Sequence, residues 1–122
     1  MMSPIAMAKD LVAQVTESAE EVLAHMSARN SYLVGGVIGR EMKANAYMAQ
    51  IKKISNLLGP KDVRVVDKLI SGNAEVLKYL GPFKDQPINE LHETLQRGIY
   101  QQVFSEYTTM RKLQEALDNL PE

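Results

Sequence analysis

In residues 87–119, apolar side chains recur at steps of three and four: Ile88, Leu91, Leu95, Ile99, Val103, Tyr107, Met110, Leu113 and Leu117, continuing to Leu120. That recurrence is one face of an α-helix. No other part of the chain is as long, as periodic or as free of breakers. The opposite face carries Asn89, Glu93, Gln96, Gln101, Ser105, Thr109, Lys112 and Glu115, which are at ease in water, so one side of the helix must be covered. Pro87 suits the first turn, where its missing N–H costs nothing, with Asp85 or Gln86 as cap and Glu90 at the positive end of the dipole. A helix over 87–119 has about nine turns and is about 50 Å long. Gly98 in its interior costs about 1 kcal/mol against Ala, which packing must offset.

The remaining segments are organised to supply that cover. Ser3 and Pro4 read as N-cap and first residue of a helix whose face is Ile5, Ala8, Leu11, Val12, Val15, Ala19, Val22, Leu23 and Met26, ending near Ala28. Arg29, Asn30 and Ser31 form a tight turn. The second segment, 31–58, opens with Tyr32-Leu33-Val34-Gly35-Gly36-Val37-Ile38-Gly39. By composition alone that run suits a short buried strand, but a lone strand has nothing to pair with. Ala44, Tyr47, Met48, Ile51, Ile54, Leu57 and Leu58 have helical spacing, and Val34, Val37 and Ile38 extend its phase backwards, so the segment reads as helix.

Gly59-Pro60 marks a reversal, with Pro60 in the first turn of the next helix. From there Val63, Val66, Leu69, Ile70, Val76, Leu77 and Leu80 keep one phase across Ser71-Gly72-Asn73. This favours one helix bent at Gly72 over two short ones with Asn73 as a cap. Residues 81–86 form a loop with Phe83 pinned on the core. The expected fold is a single all-α domain over 1–122: an antiparallel bundle of four main helices, one bent or broken at Gly72, with a long C-terminal helix.

At 122 residues with 45% hydrophobic content, the chain can bury a core of ordinary size without staples. The sequence has no cysteine, which excludes disulfides and thiolate metal sites. No basic leader followed by an apolar run opens it, and no apolar stretch approaches a membrane span. The expectation is a soluble, cytoplasmic protein without membrane contact. Net charge is −1, but residues 40–84 hold nine basic and four acidic side chains, while 85–122 hold three basic and seven acidic.

Candidate chemistry is sparse. A carboxylate-bridged metal site in a bundle uses Glu-x-x-His on paired helices, whereas three residues before His25 and His92 stand Val22 and Asn89. They read as surface or boundary histidines, and no metal or cofactor is expected. No Gly-x-Ser-x-Gly elbow or cysteine offers a nucleophile, and Gly35-Gly36-Val37-Ile38-Gly39-Arg40 matches neither phosphate-loop spacing. Gly35 and Gly39, one turn apart, instead leave a flat strip where another backbone can approach.

Lys52, Lys53, Lys61, Arg64 and Lys68 are candidate phosphate contacts beside the Gly59-Pro60 break, in the manner of a helix-turn-helix. The pI of about 6.1 lies below that of dedicated nucleic-acid binders, and the acidic outer segments are nearer partners for these cations. Tyr100, Phe104 and Tyr107 make an aromatic ledge partly off the main stripe, the kind of anchor that helix-in-groove contacts use.

The expectation is therefore a non-enzymatic helical interaction protein (an adaptor, chaperone or regulator) that docks on a protein partner. Self-association as a homo-oligomer is its first expected form, with Tyr100, Phe104, Tyr107, Gly35 and Gly39 at the contact. The alternative is a nucleic-acid-binding regulator using residues 40–84.

Overall fold

The computed structural model describes residues 2–54 and 58–121. Among these residues four long helices account for most of the chain: α1 (Pro4–Ala28), α2 (Val34–Lys53), α3 (Pro60–Leu80) and α4 (Glu93–Asp118). Two single-turn 3-10 helices, Gly81–Phe83 and Ile88–Glu90, lie in the connection between α3 and α4. The class is all-α, and the helices pack in a ring, α1 on α2, α2 on α3, α3 on α4 and α4 on α1. Among the described residues, no helix is long and apolar enough to cross a membrane.

Local chemistry sets the helix ends. The Ser3 side chain accepts the Ala6 N–H at 3.1 Å and Pro4 opens α1, as the sequence predicts. At its other end Arg29 turns left-handed, φ 51° and ψ 37°, a conformation that costs most side chains energy. Asn30 secures the turn: its Oδ1 accepts the Tyr32 N–H at 3.3 Å, and its amide nitrogen lies 2.8 Å from His25 Nδ1. Gly59 caps α3 and Pro60 opens it. That helix runs unbroken through Gly72, so the two-helix alternative is not what forms.

The start of the second helix departs from expectation. Tyr32 and Leu33 are not helical, and α2 begins at Val34 with no side-chain cap. The loop before α4 does the capping with backbone instead: the Val34 and Gly35 N–H groups each donate at 2.8 Å, to the carbonyls of Gln86 and Lys84. The sequence predicts this helix as far as Leu58, but α2 ends at Lys53 with Ile54 as its C-cap and Leu58 lies in a bend; residues 55–57 fall outside the described residues.

The same loop corrects the C-terminal helix, which begins at Glu93 and not at Pro87. Ile88 N–H donates to Tyr32 O at 2.9 Å, and Leu33 pairs with Pro87 in a single antiparallel bridge. These bonds hold Pro87 extended, ψ 145°. Leu91 is extended as well, and the His92 side chain caps α4 by accepting the Thr94 N–H at 3.1 Å. The apolar stripe is nonetheless continuous, because Ile88 and Leu91 are buried ahead of the helix. With 26 residues, α4 is about 39 Å long.

The core forms two apolar clusters. The first unites the N-terminal halves of α1 and α3 with the C-terminal halves of α2 and α4, around Val12, Met48, Val66 and Met110. The second takes the opposite halves, around Val22, Val37, Leu80 and Val103, with Phe83 packed against it. Each buried Val, Leu or Met contributes about 1.5–3 kcal/mol. Between the clusters lies a layer that is not apolar.

Candidate functional site

On the edge of α4 nearest α1, steps of four and three bring Tyr100, Phe104 and Tyr107 together. The Tyr100 and Phe104 rings stack with centroids 6.0 Å apart and planes 8° from parallel, and Tyr107 leans on Phe104 at 6.5 Å. Tyr107 is half-buried against the second core cluster. Tyr100 is 40% exposed and Phe104 45%, so two large rings face water side by side, an arrangement that burial in an interface would stabilise.

Beside them opens a cleft of about 530 Å³ between the end of α1, the turn after it and the first turns of α4, with His25, Arg29, Glu93, Arg97 and Tyr100 among its walls. Its floor has a specific construction. The Tyr32 ring stacks on His25 at 4.4 Å, 4° from parallel, and lies against Gly36, where an added Cβ would come within 2.8 Å of the ring. Only glycine admits the tyrosine there. Burial, then the negative charge of Glu21, push the Tyr32 phenol above its ordinary value.

The other sequence-derived candidates are dispersed. Gly35 is spent inside the fold, since a Cβ would meet the Lys84 carbonyl at 3.0 Å. Gly39 is exposed with open space around it. The two glycines lie on α2, across the ring from the aromatic edge of α4. Lys52 is ion-paired with Asp67 of α3. Lys53 is exposed on α2, and Lys61, Arg64 and Lys68 share an exposed face of α3. His25 is half-buried and His92 exposed. Among the described residues, no group of three or more His, Asp or Glu side chains is placed to hold a metal ion.

Sequence reasoning missed the layer that divides the core. Arg40 and Glu41 of α2, Asn73 of α3 and Glu106 of α4 are all buried. Arg40 Nη1 donates to both Glu41 and Glu106, Nε to Ser18 Oγ at 2.9 Å, and Nη2 to the Val15 carbonyl at 2.9 Å. Asn73 donates to Glu106 and, at 2.8 Å, to Asn45 Oδ1. Gln102 donates to Asn73 Oδ1 at 2.8 Å and to the Leu69 carbonyl at 3.1 Å. Asn45 reaches the Ile70 carbonyl at 3.3 Å. All four helices contribute.

Two carboxyls and one guanidinium leave the layer short of positive charge. Burial first, then the neighbouring Glu106, push the Glu41 carboxyl up to about 8, against the lowering pull of Arg40. Glu41 Oε2 has no hydrogen-bond partner, which is the cost of packing two carboxyls around one cation. Burial would lower the Arg40 value, but Glu106 and then Glu41 outweigh it and hold the guanidinium above its ordinary value. A second cleft, about 240 Å³ between α1 and α2, opens over Arg40 with Glu17, Glu21, Lys43 and Tyr47 around it.

A signal for the layer existed in the sequence. Glu106 stands three residues after Val103 and four before Met110, on the apolar stripe itself, and Arg40 and Glu41 fall between Val37 and Ala44 in the same phase. A polar residue at an apolar-phase position is an expected core partner for another.

Comparison of the chain with protein-family models, with curated proteins and with solved structures gave no match.

Proposed function

We propose that this chain is a non-enzymatic helical interaction protein that self-associates through the outer edge of α4. The observation that carries this reading is the exposed, stacked Tyr100–Phe104 pair. Aromatic side chains supply large contact area at low conformational cost and are enriched at the centres of interfaces. The chemistry of the interior supports the non-enzymatic half of the reading. The carboxyl most displaced from its ordinary value, Glu41, is 1% exposed and engaged by Arg40, where a substrate has no access. Its displacement follows from structural packing, which also perturbs such groups.

Association stabilises a fold by mass action, so the unfolding midpoint of an associating protein rises with its concentration. The midpoint of the wild type is expected to rise with concentration across a dilution series, and that of Phe104→Ser to stay constant. A concentration-independent wild-type midpoint, or an unchanged climb in the variant, overturns the proposal.

A further inference from the structure

The geometry points to a second copy of this chain, packed α4 against α4 in opposite directions about a two-fold axis, as the occupant of this edge. The inference rests on the self-association proposed above and adds its register.

Glu93, Arg97, Tyr100, Phe104, Tyr107 and Arg111 follow one another at steps of four and three, the spacing of a seam along which two helices pack side by side. The seam is distinct from the stripe that faces the core, which runs through Ile99, Val103, Met110 and Leu113. Glu93, Arg97, Tyr100, Phe104 and Arg111 are exposed and Tyr107 is half-buried. From Glu93 to Arg111 the seam is about 27 Å long at the helical rise.

The order of charges along the seam selects both the partner and the direction. Running two copies in the same direction sets Glu93 against Glu93, Arg97 against Arg97 and Arg111 against Arg111, and every charged position is then repulsive. Turning one copy end for end, about an axis level with Gln102, sets Tyr100 against the second copy's Phe104 and Phe104 against its Tyr100. The same operation places Arg97 over the second copy's Tyr107, a cation–π pairing, and Glu93 opposite its Arg111. By symmetry each pairing occurs twice, as an isologous interface requires. The aromatics form the centre, and opposite charges close both ends.

The test is a charge-reversal cycle read as dimer dissociation by sedimentation at low salt. Glu93→Arg and Arg111→Glu, each alone, are expected to weaken the dimer about tenfold, because each variant turns two attractive pairs repulsive. The double variant, which restores opposite signs at both ends, is expected to return to near the wild-type constant. Melting at high dilution checks that every variant folds. A second arm exploits the absence of cysteine. When equal amounts of Tyr100→Cys and Phe104→Cys chains are mixed and oxidised, the mixed disulfide is expected to exceed the statistical excess over each homodimeric one that random pairing alone gives.

Single reversals without effect, a double variant as weak as the singles, or a mixed disulfide at no more than the statistical proportion would each overturn the register. If Phe104→Ser still abolishes association in that case, self-association through this edge stands and only the two-fold pairing fails. A wild type that never associates overturns both.

Discussion

Arg40 of α2 donates a hydrogen bond to Glu106 of α4, joining two helices that face each other across the bundle. Both side chains are buried, and the bond is the centre of a polar layer that separates one apolar cluster from the other. A buried ion pair contributes little net stability, because desolvation offsets attraction, but breaking one exposes the full cost of an uncompensated charge. A single polar layer can instead fix which residues face one another along a bundle.

Replacing Arg40 with Met leaves Glu41 and Glu106 buried without their shared cation. The variant is expected to lose about 3–5 kcal/mol, read from the shift in urea unfolding. Converting the trio together, Arg40→Met with Glu41→Leu and Glu106→Leu, removes all three buried ionisable groups and is expected to recover most of that loss. If the triple variant is less stable than Arg40→Met alone, the layer contributes more than this account allows.

Glycines separate by what their missing side chain leaves room for. At Gly72 an added Cβ would lie 2.7 Å from the Gln102 amide, which crosses there to reach Asn73 and the Leu69 carbonyl. Gly72→Ala is expected to destabilise, because the Gln102 amide must leave its two hydrogen bonds, at about 1 kcal/mol each, which outweighs the helix gain of about 1 kcal/mol. Gly98 lies in α4 with open space around it, and Gly98→Ala is expected to stabilise by about 1 kcal/mol. Thermal denaturation of the two variants should move in opposite directions.

The helical phase was legible wherever the apolar pattern was unambiguous. It gave α1 to Ala28, the start at Pro60, the continuity of α3 through Gly72, and the core stripe from Ile88 to Leu117. Helix starts that depend on distant backbone were not legible: α2 is capped by the carbonyls of Lys84 and Gln86, and the same loop pulls Pro87 out of α4. No local rule contains a partner some fifty residues away. The Tyr100, Phe104 and Tyr107 ledge was visible from spacing alone, whereas the His25–Tyr32 stack depends on a turn closed by Asn30 and on Gly36. The buried layer was hidden for a different reason: Arg40, Glu41 and Glu106 stand in the apolar phase, but a charged side chain ordinarily marks a surface position.

Stability should respond to pH through Glu41. Its value in an unfolded chain is near the ordinary 4.5, and in the fold it stands at about 8. Below 4.5 both states hold the proton. Between 4.5 and 8 the unfolded state releases it and the fold retains it, so stability falls as pH rises, by up to about 1.4 kcal/mol per pH unit. Above about 8 that loss is complete. Glu41→Gln cannot ionise, so its urea-unfolding profile is expected to lack this fall and to lie above the wild type at pH 8. Parallel profiles would show that Glu41 carries no proton in the fold.

Light scattering coupled to size exclusion, run over a concentration series at low and high salt, tests the proposed role of α4 most directly. The account predicts a mass of two chains at high concentration, a shift toward one on dilution, and one chain throughout for Phe104→Ser. High salt should weaken the dimer without abolishing it, because screening reaches the Glu93 and Arg111 ends and not the aromatic centre. A wild type with the mass of one chain at every concentration would contradict it.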